Sequence, residues 1–234
     1  MKQPQVQILI ITLISIVLSL VGCNSSQPNG ELFNSISLGL PLGVLVAKSI
    51  PDLPEEPGDE ERREMYTQML QDAADGLNIT LSPPPDSLLG QGRGYSQYQT
   101  LESYFAQITN QTADRSECIK YTTGVSLASA WLIVNFHEVE NLSQADMPVF
   151  RDMFVSKLDQ FVGLSAIAAY FCKQEGYVEF ATRLDEVSEE SLNWKHQVAL
   201  LSDEEVAAEV VSIGNQLADR LVELPEIASA LPTP

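Results

Sequence analysis

The chain holds 234 residues, with 13 Lys and Arg against 32 Asp and Glu, a formal charge of −19. This balance excludes nucleic acid as a partner, because phosphate recognition depends on Lys and Arg, and it opposes lying flat on anionic lipid. With only three cysteines and two histidines, few residues are available for a metal or redox centre.

The first element in chain order is an apolar run over residues 8–20, preceded by Lys2 and interrupted by Thr12, Ser15 and Ser19. It is shorter than the roughly 20 apolar residues a bilayer-spanning helix needs, so it reads as a secretory signal that is cut. The run closes on Leu20, Val21, Gly22 and Cys23, and this tetrad resembles the lipobox of bacterial lipoproteins. The resemblance implies a diacylglyceryl group on the Cys23 thiol, cleavage just before it, acylation of the new amino terminus, and residence outside the cytoplasm on the cell membrane or the outer membrane. Asn24 stands where enterobacterial sorting reads Asp as inner-membrane retention, so outer-membrane sorting is permitted. Cleavage would remove 22 residues, Lys2 among them, leaving 212 residues and a charge of −20.

Residues 23–30 are small and polar, as a flexible tether requires. Residues 31–50 are apolar but broken by Gly39, Pro41 and Gly43, which fits neither a long helix nor an alternating strand; this stretch is expected to pack across the domain. Residues 51–61 carry three prolines and six acids and read as an extended linker. Their acids lack the alternation of an EF-hand calcium loop. Residues 1–22 are therefore assigned to the signal, 23–59 to tether and linker, 60–225 to a helical domain and 226–234 to a disordered tail.

Within the domain, Met65, Met69 and Ala73 mark a short amphipathic helix ended by Gly76. Residues 81–94, with three prolines and three alternating glycines, form a loop; the Lys and Ser or Thr of a P-loop are missing. Tyr98, Leu101, Phe105 and Ile108 predict a helix over residues 96–110. Asp114 and Glu117 have capping-box spacing and open a long helix whose apolar face includes Cys118, Val125, Ala128, Trp131, Leu132, Phe136 and Val139. Ser143, Asp146 and Pro148 restart a helix carrying Phe150, Phe154, Leu158, Phe161, Val162, Ile167, Phe171 and Cys172, and Gly176 ends it. Another helix follows to Leu201 with an interruption at Ser188. Ser202 and Glu205 form the clearest capping box, opening a last helix that Pro225 closes. The expected fold is all-α, a bundle of about five or six helices.

With Cys23 assigned to lipid, Cys118 and Cys172 remain in an oxidising compartment. Their midpoint, residue 145, falls in the turn of a helical hairpin, so both thiols lie at one end and a disulfide is expected. The Cys-x-x-Cys spacing of redox catalysis is absent.

Catalysis has little to work with. His137 and Glu140 share a helix face three residues apart and, with His196, make the alternative site for a metal or an enzyme, although the Glu-x-x-His order of carboxylate-bridged bundles is reversed. The preferred reading of His137 is a residue interacting with the dipole of a helix C-terminus. Asn-x-Ser/Thr sequences at Asn24, Asn78, Asn110 and Asn141 read as coincidence under the lipoprotein assignment. No catalytic residue and no cofactor is expected. The expected function is an envelope lipoprotein held on the membrane by lipid, with a non-catalytic helical domain that binds a protein partner or a small ligand.

Overall fold

The computed structural model describes residues 30–48, 59–82, 95–139 and 142–231. Among them are eight helices and no strand: α1 (Gly30–Ser37), α2 (Gly39–Lys48), α3 (Asp59–Gly76), α4 (Tyr95–Gln111), α5 (Glu117–Glu138), α6 (Met147–Gln174), α7 (Val178–Leu200) and α8 (Asp203–Ala230). The all-α bundle expected from sequence is the fold observed. The signal and its Cys23, most of the acidic linker, the glycine-rich part of the 81–94 loop, Glu140 and Asn141 lie outside the described residues.

The stretch 30–48 is not tether. It is two helices in the centre of the bundle, with Leu32, Ile36, Leu38, Leu42, Leu45 and Val46 almost completely buried. Residues Gly30–Ala47 have a mean hydropathy of 1.4, and burial of 72% of the stretch inside the bundle accounts for it. The two glycines that look like helix breakers are contact points instead. A Cβ on Gly39 would stand 2.6 Å from the Ser126 carbonyl carbon, and one on Gly43 would stand 2.9 Å from Ala130 Cα. Gly39 and Gly43, four apart on α2, thus meet Ser126 and Ala130, four apart on α5, and the two backbones close to a distance that side chains would forbid. Pro41 falls in the first turn of α2, where the N–H groups have no intrahelical acceptor to lose.

The junction between α1 and α2 is a single residue, Leu38, and Ser126 of α5 satisfies it. Its hydroxyl accepts from Gly39 N at 2.6 Å and donates to Ile36 O at 3.0 Å, so one side chain serves an orphan donor of one helix and an orphan acceptor of the other.

These contacts set the directions of the bundle. Helices α1 and α2 run parallel to α5, and α3 returns antiparallel, with Gly76 against Asn34 of α1. The Arg115 guanidinium joins the same end: it pairs with Glu31 and donates to Leu77 O at 2.7 Å. Helix α6 runs back along α5, with Phe136 against Phe154, and α7 lies antiparallel on α6 in the most extensive helix pair. Helix α8 returns along α7. The molecule therefore has one end formed by the start of α1, the end of α3, the α4–α5 and α6–α7 turns and the end of α8. The other end gathers the N-termini of α3, α6 and α8.

Local signals explain most boundaries. In α3 the buried stripe is Tyr66, Leu70, Ala73, Ala74 and Leu77, with Met65 and Met69 on its flank. The left-handed residue after α3 is Asn78 (φ 54°) rather than Gly76, and Asn tolerates that conformation. The chain then runs beside α4, where two glutamines grip its backbone. Gln111 Oε1 accepts from Thr80 N at 2.9 Å and its Nε2 donates to Thr80 O at 2.9 Å, and Gln107 repeats the exchange with Ser82 at 2.8 and 2.6 Å.

The cap of α5 is Ser116, whose side chain accepts from Ile119 N, not the expected Asp114. Helix α5 is buried on most of its circumference, including Thr122, Val125, Ser126, Ser129, Leu132, Ile133 and Val134, as its place between α1, α2 and α6 requires. Helix α6 has Pro148 in its first turn as expected and buries Phe150, Phe154, Leu158, Phe161 and Cys172, but Ile167 is exposed. Gly176 (φ 95°) ends it, with Tyr177 N donating to Cys172 O at 2.9 Å, the six-to-one bond of a Schellman turn.

Ser188 does not interrupt α7. Its hydroxyl donates to Val162 O on α6 at 3.1 Å, so it is a contact inside one continuous helix. The Ser202 box opens α8 as expected: Glu205 Oε2 accepts from Ser202 N at 3.1 Å and from its hydroxyl at 2.6 Å. Pro225 does not close α8, which continues to Ala230 with Leu224 and Ala228 fully buried. Burial on both sides of the proline offsets the one hydrogen bond it removes, so residues 226–230, expected in the tail, belong to the bundle.

Candidate functional site

Cys118 and Cys172 form a disulfide with Cα atoms 4.5 Å apart, the pairing that the hairpin geometry predicts. Both are fully buried. Around the bridge, Cys118 N donates to Glu175 Oε1 at 3.0 Å, Thr122 Oγ1 lies 3.5 Å from Cys172 Sγ, and the rings of Tyr121 and Phe171 stack at 5.3 Å. Burial, then Glu175 and Glu31, hold the Tyr177 hydroxyl above its ordinary pKa of 10.0. This end is a structural clamp, closed by a covalent bond and by the Arg115 contacts.

The histidines are not brought into a common cluster. His137 sits half-buried near the C-terminus of α5, His196 is exposed on α7, and these two helices share no extensive contact. Glu140 lies outside the described residues. Among the described residues there is no group of three His, Cys, Asp or Glu side chains arranged to hold a metal ion.

The concave feature that sequence reasoning missed lies between α7 and α8. It is an open cleft of about 330 Å³, lined by Glu190, Asn193, Trp194 and Gln197 from α7 and by Glu209, Gln216, Asp219 and Arg220 from α8. Trp194 is 6% exposed and forms an apolar contribution to an otherwise polar lining. One wall is fixed by ion pairs. Arg220 holds Glu190 through two bonds, Nε to Oε2 at 2.7 Å and Nη2 to Oε1 at 2.9 Å. It also reaches Glu223 at 3.5 Å, and Glu223 pairs in turn with Arg183, which donates to Glu186 at 2.5 Å. The Glu190 bond, with smaller Coulombic contributions, raises the pKa of Arg220, and the Glu186 and Glu223 bonds do the same for Arg183.

This ladder consumes the only cation of the cleft and the carboxylate of Glu190. Glu209 and Asp219 have no ion-pair partner among the described residues, and the three amides supply both donors and acceptors. The lining therefore carries a negative surplus among amide donors and acceptors, a combination that favours a small cation with hydrogen-bonding groups. The polar groups it offers are carboxylates, side-chain amides and one paired guanidinium. The spacing of Glu190, Trp194 and Gln197 along one helix was visible in sequence, but nothing there signalled that Glu209, Gln216 and Arg220 would face it.

Compared with protein families, with curated proteins and with solved structures, the chain finds no match.

Proposed function

We propose that this chain is an envelope lipoprotein, anchored through Cys23, whose helical bundle is a non-catalytic binding module for a protein partner or a small ligand. The observation that carries the proposal is the buried Cys118–Cys172 bridge. Disulfides persist in oxidising compartments, and this argument for export is independent of the lipobox-like tetrad at Leu20 to Cys23. The cleft between α7 and α8 supports the binding half of the reading, with small cationic molecules as the class its negative surplus favours.

The anchor is tested by mass spectrometry of the protein extracted from bacterial membranes: the mature chain should begin at Cys23 and carry acyl mass, and Cys23→Ser should leave it unprocessed and unlipidated. An unmodified Cys23 in the wild type would overturn the anchor. The cleft is tested by titrating a linear diamine while following Trp194 fluorescence, with Trp131→Phe removing the second indole. A saturable change that Asp219→Asn weakens supports the cleft as a cation site, and no change at millimolar diamine counts against it. Crosslinking in the native envelope tests for a protein partner.

A further inference from the structure

We infer that the bundle stands upright on the membrane, with the disulfide end facing the lipid and the end that gathers the N-termini of α3, α6 and α8 held away from it. The inference rests on the anchoring through Cys23 proposed above, and the structure supplies the orientation. Gly30 opens α1 at the disulfide end, because the adjoining Glu31 pairs with Arg115 of the α4–α5 turn. Seven residue steps separate Cys23 from Gly30, and a fully extended chain covers at most about 25 Å in seven steps. Helix α6, with 28 residues, is about 42 Å long. The tether is therefore shorter than the bundle, and the disulfide end cannot leave the neighbourhood of the bilayer.

Charge then decides between standing and lying. A mature chain with 20 more acids than bases is repelled by anionic headgroups, and the repulsion acts within a screening length of about 8 Å. Lying down would bring the whole flank of the bundle into that layer, whereas standing brings in one end only. Both ends are acidic with a few cations among the acids: Arg115, Lys120 and Lys173 at the disulfide end, Arg62, Arg63 and Arg151 at the far end. Repulsion therefore favours standing over lying, and the tether decides which end faces the lipid.

One consequence concerns the acidic linker. The chain leaves α2 at Lys48 and resumes in α3 at Asp59, both at the far end, so residues 49–58 begin and finish on the side away from the membrane. They are not a spacer between lipid and fold, because α1 and α2 come before them and are already packed in the core. The end available to an envelope partner is then the far one, with the start of α6 and the α7–α8 turn.

The test uses the full lipidated chain in vesicles of phosphatidylethanolamine and phosphatidylglycerol. Because Cys118 and Cys172 are bonded and Cys23 is acylated, an added cysteine is the sole free thiol for a fluorophore. Val178→Cys at the disulfide end and Leu200→Cys at the far end replace residues that are 53% and 87% exposed, so neither disturbs the core. Energy transfer to a headgroup-labelled lipid should be at least about twofold stronger from position 178 than from 200, since α7 separates them by roughly 33 Å. Inserting twelve Gly and Ser residues after Pro28 should shrink the difference. Flotation of the protein with the vesicles, but with equal transfer from the two positions or stronger transfer from 200, overturns the orientation and leaves the anchor standing. Failure to float with the vesicles, with Cys23 unmodified by mass, overturns both.

Discussion

Replacing Gly39 by alanine adds one methyl group at the closest approach of two helices. The new Cβ would lie 2.6 Å from the Ser126 carbonyl carbon, with the carbonyl oxygen and Ser129 Oγ nearer still. Carbon atoms pack best at roughly 3.5–4.0 Å, so α2 must back away from α5 by about an ångström. Two neighbours are backbone atoms of a central helix and cannot rotate aside. Overpacking of this kind costs roughly 1–3 kcal/mol.

The same retreat pulls Gly39 N from Ser126 Oγ, 2.6 Å away, and disturbs the Ser126 bond to Ile36 O. Each buried hydrogen bond lost adds about 1 kcal/mol. The intrinsic preference of a helix for Ala over Gly works the other way by up to about 1 kcal/mol in a helix interior, and less at the first position of α2. The sum is a destabilisation of about 3 kcal/mol, a large share of the roughly 5–15 kcal/mol that holds a domain together. Urea unfolding of the soluble chain from residue 24, followed by circular dichroism, measures it as a lower midpoint at unchanged slope. Gly163→Ala is the internal control: nothing lies within 4 Å of its added Cβ, and in mid-α6 it should stabilise by about 0.5–1 kcal/mol. If Gly39→Ala unfolds within about 0.5 kcal/mol of the wild type, the close crossing does not carry the packing assigned to it.

Three further outcomes follow from named contacts. Reducing Cys118–Cys172, which closes a separation of 54 residues, should cost about 4 kcal/mol on the chain-entropy account; an unchanged urea midpoint after complete reduction would reject that magnitude. Burial pushes the Tyr66 hydroxyl up to about 12, with Arg62 pulling slightly the other way. The fold therefore favours its protonated form, and the stability it contributes is complete below pH 10 and is lost as pH rises from 10 towards 12. A shift of two units corresponds to about 3 kcal/mol, and Tyr66→Phe should remove that much of the alkaline loss when unfolding is measured across this range. Glu205 has the opposite sign: its bonds from the Ser202 hydroxyl and N–H lower its pKa below 4.5. Its contribution is present above that value and fades as pH falls through the lowered pKa, so Glu205→Gln should flatten the acid limb of the stability curve, while an identical acid limb would argue against the box.

The parts of the fold legible in sequence were those set by signals local to one segment or by a symmetry between two. The Ser202–Glu205 box and the Pro148 start depend on four or five neighbouring residues, and all are in the structure as read. The disulfide was legible because a hairpin turn midway between two cysteines brings them to the same end, whatever else packs around it. Three errors share a cause. Gly39, Ser188 and Pro225 each lower the stability of an isolated helix, and each was taken as a break. In the folded chain Gly39 admits the backbone of α5, Ser188 finds the carbonyl of Val162, and the segments on both sides of Pro225 are buried. A residue that weakens a helix in water is the one that permits the closest contact in a core, and only the partner helix tells the two cases apart.

The cleft was illegible for a related reason. Glu190, Trp194 and Gln197 occupy one turn after another of α7, and Gln216 lies one turn before the adjacent Asp219 and Arg220 on α8, each set reading as an ordinary helix face. What joins them is the antiparallel register of α7 and α8. The Arg220–Glu190 and Arg183–Glu223 pairs, spaced seven residues apart on α7 and three apart across Arg220 and Glu223 on α8, mark that register by charge. Partly exposed pairs of this kind each contribute only about 0–1 kcal/mol, too little to build the helix pair, whose burial of Val187, Val198, Val206 and Leu217 does that. Their effect is to spend the positive charge of the cleft on structure. Asp219 and Glu209 are left to set its sign, and for that reason a variant such as Asp219→Asn should change what the cleft attracts while leaving the bundle intact.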